Sequence, residues 1–129
     1  MTQLQLDDKG LVPAIAQNAD SGEVIMLGYM NPGSIKRTLE GEDVWFYSRS
    51  RSDLWHKGEL SGNYLKIRSA SMDCDGDTLL LQVEPEGPIC HTGNRTCFFT
   101  AVDELPGFET GETGPGILEE LFATVQDRK

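Results

Sequence analysis

The sequence, 129 residues long, has few histidines, few basic residues, few cysteines and no long apolar run. No stretch approaches the ~18 apolar residues that a membrane span requires, and the N-terminus lacks a basic start followed by an apolar segment. With neither a span nor an export signal, a soluble cytoplasmic protein is expected. Lysine and arginine number 11 against 21 aspartates and glutamates, a net charge of −10 that argues against non-specific binding to nucleic acid. The three cysteines, Cys74, Cys90 and Cys97, are an odd number and cannot all pair within the chain. Free thiols or metal ligands are therefore expected rather than disulfides. C-x-x-C spacings of the zinc-finger kind are missing. So is the H-x-E with P-C-x-x-C pattern of nucleobase deaminases. There is no internal repeat and no low-complexity linker.

What is present suits a globular domain: 38% apolar and 25% charged residues, in one domain over residues 1–129. Leu11–Gln17 and Glu23–Met30 read as strands joined by the turn Asp20-Ser21-Gly22. Asn31-Pro32 starts a helix, an N-cap followed by proline at the first position. The helix runs through Ile35 and Leu39 and stops at Gly41. Val44–Ser50, Tyr64–Ser71, Thr78–Val83 and Cys97–Val102 read as further strands, and Ile117–Val125 has a helical pattern. The sum is a β-rich α+β fold, a compact single domain of short strands with two helices.

Chemistry is concentrated in three segments. In Asp73-Cys74-Asp75-Gly76-Asp77, three carboxylates at alternate positions repel one another unless a cation neutralises them. If the segment is extended, the aspartates share one face and Cys74 points to the other. It would then offer hard oxygens on one side and a soft sulfur on the other. An acidic turn in which aspartates cap local N–H groups is the plainer alternative. An EF-hand is rejected: Thr78 stands where its loop needs glycine, and strands flank the segment instead of helices. The second segment holds Cys90-His91-Thr92-Gly93, with Cys97 seven residues beyond Cys90. Any one cysteine is more commonly a buried small hydrophobe. Yet every cysteine and both histidines fall in these polar, glycine-containing segments. Three thiolates with no fourth protein ligand would leave a zinc ion one position for water, which zinc acidifies.

The third segment is Ser48-Arg49-Ser50-Arg51-Ser52, continuing to Trp55-His56-Lys57-Gly58-Glu59 and Ser61-Gly62. Residues 49–68 hold five basic residues against two acidic ones on an otherwise acidic chain. This is either a solvated strand edge or an anion site. Trp55 suits base stacking or the core, and His56 and Glu59 could move protons.

Read in order, EVIMLGYMN (23–31), WFYSRSRSDLWHKGELSGN (45–63), MDCDGDTLLLQVE (72–84) and GPICHTGNRTCFF (87–99) resemble the phosphoribosyl-AMP cyclohydrolase family. The resemblance implies hydrolysis of the N1–C6 bond in the adenine ring of 1-(5-phosphoribosyl)-AMP. The product is the formimino-carboxamide ribotide of L-histidine biosynthesis. It further implies an intertwined homodimer, with magnesium on Asp73, Asp75 and Asp77. Zinc would sit on Cys74 of one subunit and on Cys90 and Cys97 of the other. On this reading His91 and His56 are the acid–base candidates, and zinc-bound hydroxide adds at C6. Arg49, Ser50, Arg51, Trp55, Lys57, Glu59, Ser61 and Thr92 are the candidate substrate contacts.

Three positions depart from the family's pattern. Gly28 stands where alanine is common, Leu60 where a small hydroxyl residue often precedes Ser61, and Thr96 where serine often precedes the last cysteine. The pyrophosphohydrolase domain fused in some relatives is expected to be absent, and residues past Val102 suggest nothing. Three rivals stand: a dimer stapled by structural zinc, a different zinc hydrolase, and a non-catalytic nucleotide-binding regulator.

Overall fold

A computed structural model describes residues 3–90 and 92–108. Strands β1 (Val12–Asn18), β2 (Val24–Met30), β5 (Leu65–Met72) and β6 (Leu79–Pro85) form one sheet in the order β2-β1-β6-β5. The β1–β2 and β5–β6 pairs are antiparallel hairpins, and β1 and β6 join them in parallel. One face is apolar because the sequence alternates. Val12, Ala14 and Ala16 on β1 and Leu79, Leu81 and Val83 on β6 are all buried, while their neighbours are partly exposed.

A second layer covers that core. Strands β3 (Trp45–Ser48) and β4 (Asp53–His56) form a separate hairpin, and α1 (Pro32–Glu40) connects β2 to β3. Phe46 is fully buried against β2, where Gly28 makes room for its ring. A Cβ on Gly28 would lie 2.6 Å from Phe46 Cδ1. Burying a phenylalanine side chain contributes about 1.5–3 kcal/mol, so this one contact anchors the layer.

The helix begins and ends where the sequence places it. Asn31 Oδ1 accepts from Ser34 N at 2.8 Å, and Ser34 Oγ accepts from Asn31 N at 2.9 Å, a reciprocal capping box. Its buried face is small and polar, however. Ser34 and Thr38 are buried while Leu39 is 61% exposed. Thr38 Oγ1 donates to Ser34 O and accepts from Trp45 N, so the helix docks on β3 through a hydroxyl.

The structure differs from the sequence reading at two elements. Asp53–His56 is a strand that its polar composition concealed. Cys97–Val102 is not a strand: Cys97 N makes one bond to Ile25 O, and Phe98, Phe99 and Val102 are exposed. One bridge to a sheet edge does not make a ladder. The expected second helix, Ile117–Val125, lies outside the described residues. Residues 99–108 belong to a second unit and carry one 3₁₀ turn, Val102–Glu104.

Candidate active site

Two loops face each other across a cleft of about 370 Å³, lined by Trp55, Lys57, Leu60, Ser61, Asn63, Pro88 and Cys90 among others. Trp55 comes from β4, and Lys57 to Asn63 follow it toward β5. On the far side Pro88, Ile89 and Cys90 leave β6. The Lys57 ammonium is buried, lies 5.0 Å over the Trp55 ring and donates to Ile89 O at 2.9 Å. Desolvation pulls its pKa below the usual lysine range, opposed by the nearby Cys97 and Cys90.

Cys90 and Cys97 come close within this chain, near enough for each thiol to shift the ionisation of the other. A turn closes around Cys90: Gly93 N donates to Cys90 O at 2.9 Å, and Cys90 N donates to Asn94 O at 3.0 Å. Thr92 Oγ1 donates to Cys90 Sγ at 3.1 Å and accepts from Asn94 Nδ2 at 2.9 Å. That hydroxyl holds the Cys90 thiol below the usual thiol range. Burial and the neighbouring Cys90 push Cys97 the opposite way. Of the two thiols, Cys90 is therefore the more readily ionised. Thr96 secures the other cysteine, its hydroxyl lying 2.8 Å from Val24 O and 3.0 Å from Ile25 O.

Cys74 is elsewhere. It is exposed in the β5–β6 turn, where its thiol donates to Asp75 Oδ1 at 3.3 Å. Asp75, through that bond and its charge, raises the Cys74 pKa. Among the described residues no group of three or more Cys, His, Asp or Glu side chains is gathered as a metal site. Of the two forms the sequence leaves open for residues 73–77, extended or an acidic turn, the turn is adopted. Gly76, at a φ of 73°, closes a tight turn in which Gly76 N donates to Asp73 O and Asp73 N to Thr78 O, each at 3.0 Å. Asp73 Oδ1 also accepts from Asp77 N at 3.0 Å, as a capping aspartate does. The Asp73 and Asp77 carboxyls are near enough to shift each other's ionisation. Desolvation pushes Asp73 upward, but the bonds from Asp77, Thr78 and Gly76 outweigh it and hold its pKa low. The bond to Asp73 and the neighbouring charges raise Asp77.

The remaining candidates divide. Arg49 stacks on Tyr29, 4.0 Å from the ring centroid, in a shallower groove shared with Lys9, Tyr47, Ser48, Ser50 and Trp55. Arg51 and Glu59, both exposed, pair at 4.0 Å. Ser61 Oγ accepts from Asn63 N at 3.2 Å. His56 lies on β4 next to Trp55 and so projects to the opposite side of the hairpin. There it stacks on Trp45 at 4.5 Å and 7°, packs near Tyr64 and bonds Asp43 Oδ2 through Nε2 at 2.9 Å. His91 lies outside the described residues. Asn63 and Asn94 were not among the sequence candidates, because nothing in an isolated asparagine advertises its partners.

The sequence profile described as "Phosphoribosyl-AMP cyclohydrolase" matches residues 26–99. A phosphoribosyl-AMP cyclohydrolase of Clostridium botulinum (strain ATCC 19397 / Type A) is 55% identical over 93 residues, 72% of this chain and 84% of that protein.

The chain belongs to the phosphoribosyl-AMP cyclohydrolase family.

Two relatives described as "Histidine biosynthesis bifunctional protein HisIE" are similar over 98% of this chain. That of Caldanaerobacter subterraneus subsp. tengcongensis is 50% identical and that of Bacillus subtilis 46%. The chain spans 60% and 59% of their respective lengths. Residues past Val102, which suggest nothing by themselves, thus fall within the stretch shared with these two bifunctional relatives.

Proposed function

We propose that this chain hydrolyses the N1–C6 bond of 1-(5-phosphoribosyl)-AMP, a step of L-histidine biosynthesis, at the cleft between Trp55 and Cys90. The observation that carries this reading is the Cys90–Cys97 thiol pair, held against a buried lysine at the cleft wall in a chain of this family. Two adjacent thiols, one inclined to ionise, are a donor set that fits zinc. Cys74 of a second subunit would complete that set, and the neighbouring carboxyls of Asp73, Asp75 and Asp77 fit magnesium. Zinc, when bound, supplies a Lewis acid that lowers the pKa of water.

The chain's own residues have separate tasks. Trp55 supports the base, while Arg49 and Ser50 in the neighbouring groove take a phosphate oxygen. Thr92 orients Cys90. His91, adjacent to Cys90 in sequence, moves the proton at N1, since His56 is committed to Asp43 and Trp45.

The test is direct: the protein with zinc and magnesium is incubated with phosphoribosyl-AMP and ring opening is followed by ultraviolet absorbance. Absence of turnover sinks the proposal. His91→Ala is expected to lower kcat by ~10²–10⁴-fold, the range of general acid–base groups. An unchanged rate removes His91 from proton transfer.

A further inference from the structure

We infer that Asn63 is a positioning residue: together with Lys57 it grips the carbonyls of Pro88 and Ile89, and so fixes where the next residue, Cys90, places its sulfur. Asn63 Nδ2 donates to Pro88 O at 2.7 Å, and Lys57 Nζ donates to Ile89 O at 2.9 Å. Consecutive carbonyls are thus held by two side chains of one loop. The β5–β6 ladder has ended by then. Its last Cα partners are Leu65 and Pro85, followed by one bond from Glu86 N to Tyr64 O. Continuing that register brings Asn63 opposite Gly87.

Two glycines clear space for Asn63. A Cβ on Gly87 would stand 2.5 Å from Asn63 Oδ1, and one on Gly58 would stand 2.7 Å from the Asn63 carbonyl. A side chain given that room, with its amide committed to main chain two residues before Cys90, is placed to aim the loop. Lys57 is turned inward by its bond to Ile89 O. The inference rests on Cys90 being a residue of the proposed site, and adds what holds it there.

The test uses the full chain without metal or substrate, so it survives failure of the proposed reaction. Asn63→Ala is treated with iodoacetamide at one pH, and Cys90 and Cys74 modification is followed by peptide mass spectrometry. Cys90 should react roughly 5–10-fold faster than in the unaltered protein, the local opening that one lost hydrogen bond permits, with Cys74 unchanged. An unchanged Cys90 rate overturns the inference, and so does equal acceleration of both. Should Asn63→Ala fail to fold, Asn63→Asp keeps the size and removes the amide donor. Where turnover is observed, Asn63→Ala and Lys57→Met should lower kcat with KM nearly constant. A raised KM at constant kcat would make them substrate contacts instead.

Discussion

At the scale of single residues, Gly28 shows how a departure from family pattern acquires a cause. Its missing side chain is the space that the Phe46 ring occupies. Gly28→Ala should therefore destabilise by about 1–3 kcal/mol through overpacking, and Phe46→Leu in the same chain should recover part of that loss. Urea unfolding of both variants checks it; an unperturbed midpoint for Gly28→Ala would show that the ring moves aside freely. Asp7 gives a prediction of another kind. Its carboxylate accepts from Lys9 N and Leu11 N at 2.8 and 2.9 Å, and these bonds, Leu11's first, lower its pKa. Because the folded pKa is depressed, the stabilisation is complete above the ordinary aspartate value and fades as pH falls through the folded one. Asp7→Asn should accordingly be the less stable protein at pH 7, with the gap closing below about pH 4. A gap constant from pH 7 to pH 3 would refute the assignment.

At the scale of elements, the β3–β4 hairpin separates two jobs that the sequence runs together. Trp55 faces the cleft, while His56 is stacked on Trp45 and tied to Asp43 on the other side. His56→Phe retains an aromatic ring and loses the bond; we expect lowered thermal stability with kcat within about tenfold, below the usual loss for an acid–base group. A fall on the His91 scale would restore His56 to the chemistry. The same hairpin shows where sequence reading reaches its limit. Strands β1, β2, β5 and β6 were legible because their apolar residues alternate or run together, and α1 because Asn31, Pro32 and Gly41 punctuate it. β4 was not, since Asp53 and His56 are polar and its partners are set by contact across the hairpin. Likewise Cys97–Val102 has the composition of a strand but meets the sheet at one point. For the aspartate segment, alternation leaves an extended face and an acidic turn both open, and Gly76 decides for the turn. For the site, residue types and their order pointed to the cysteines. The Asn94–Thr92–Cys90 chain of hydrogen bonds could be found only in three dimensions.

At the scale of the whole molecule, one chain brings Cys90 and Cys97 together and leaves Cys74 in a distant turn of the sequence. If a partner subunit completes the proposed zinc site, two inactive variants should rescue each other. Mixing equal amounts of Cys74→Ser and Cys90→Ser chains under subunit exchange forms half heterodimers, each with one intact site of two. About a quarter of full activity should return under two-fold symmetry. No recovery, with exchange verified by mass spectrometry, would rule out the shared site.

The anchoring of Thr96 and Cys97 has a consequence for solubility. β2 is an outer strand of its sheet, and outer strands invite pairing with other chains. The bonds from Thr96 and Cys97 occupy carbonyls at Val24 and Ile25 on that strand. The segment that carries Cys97 to the site thus also blunts a surface prone to cross-β association. Thr96→Val would free the Val24 carbonyl while Cys97 N still holds Ile25 O, and light scattering of concentrated protein should register aggregation before any change in secondary structure.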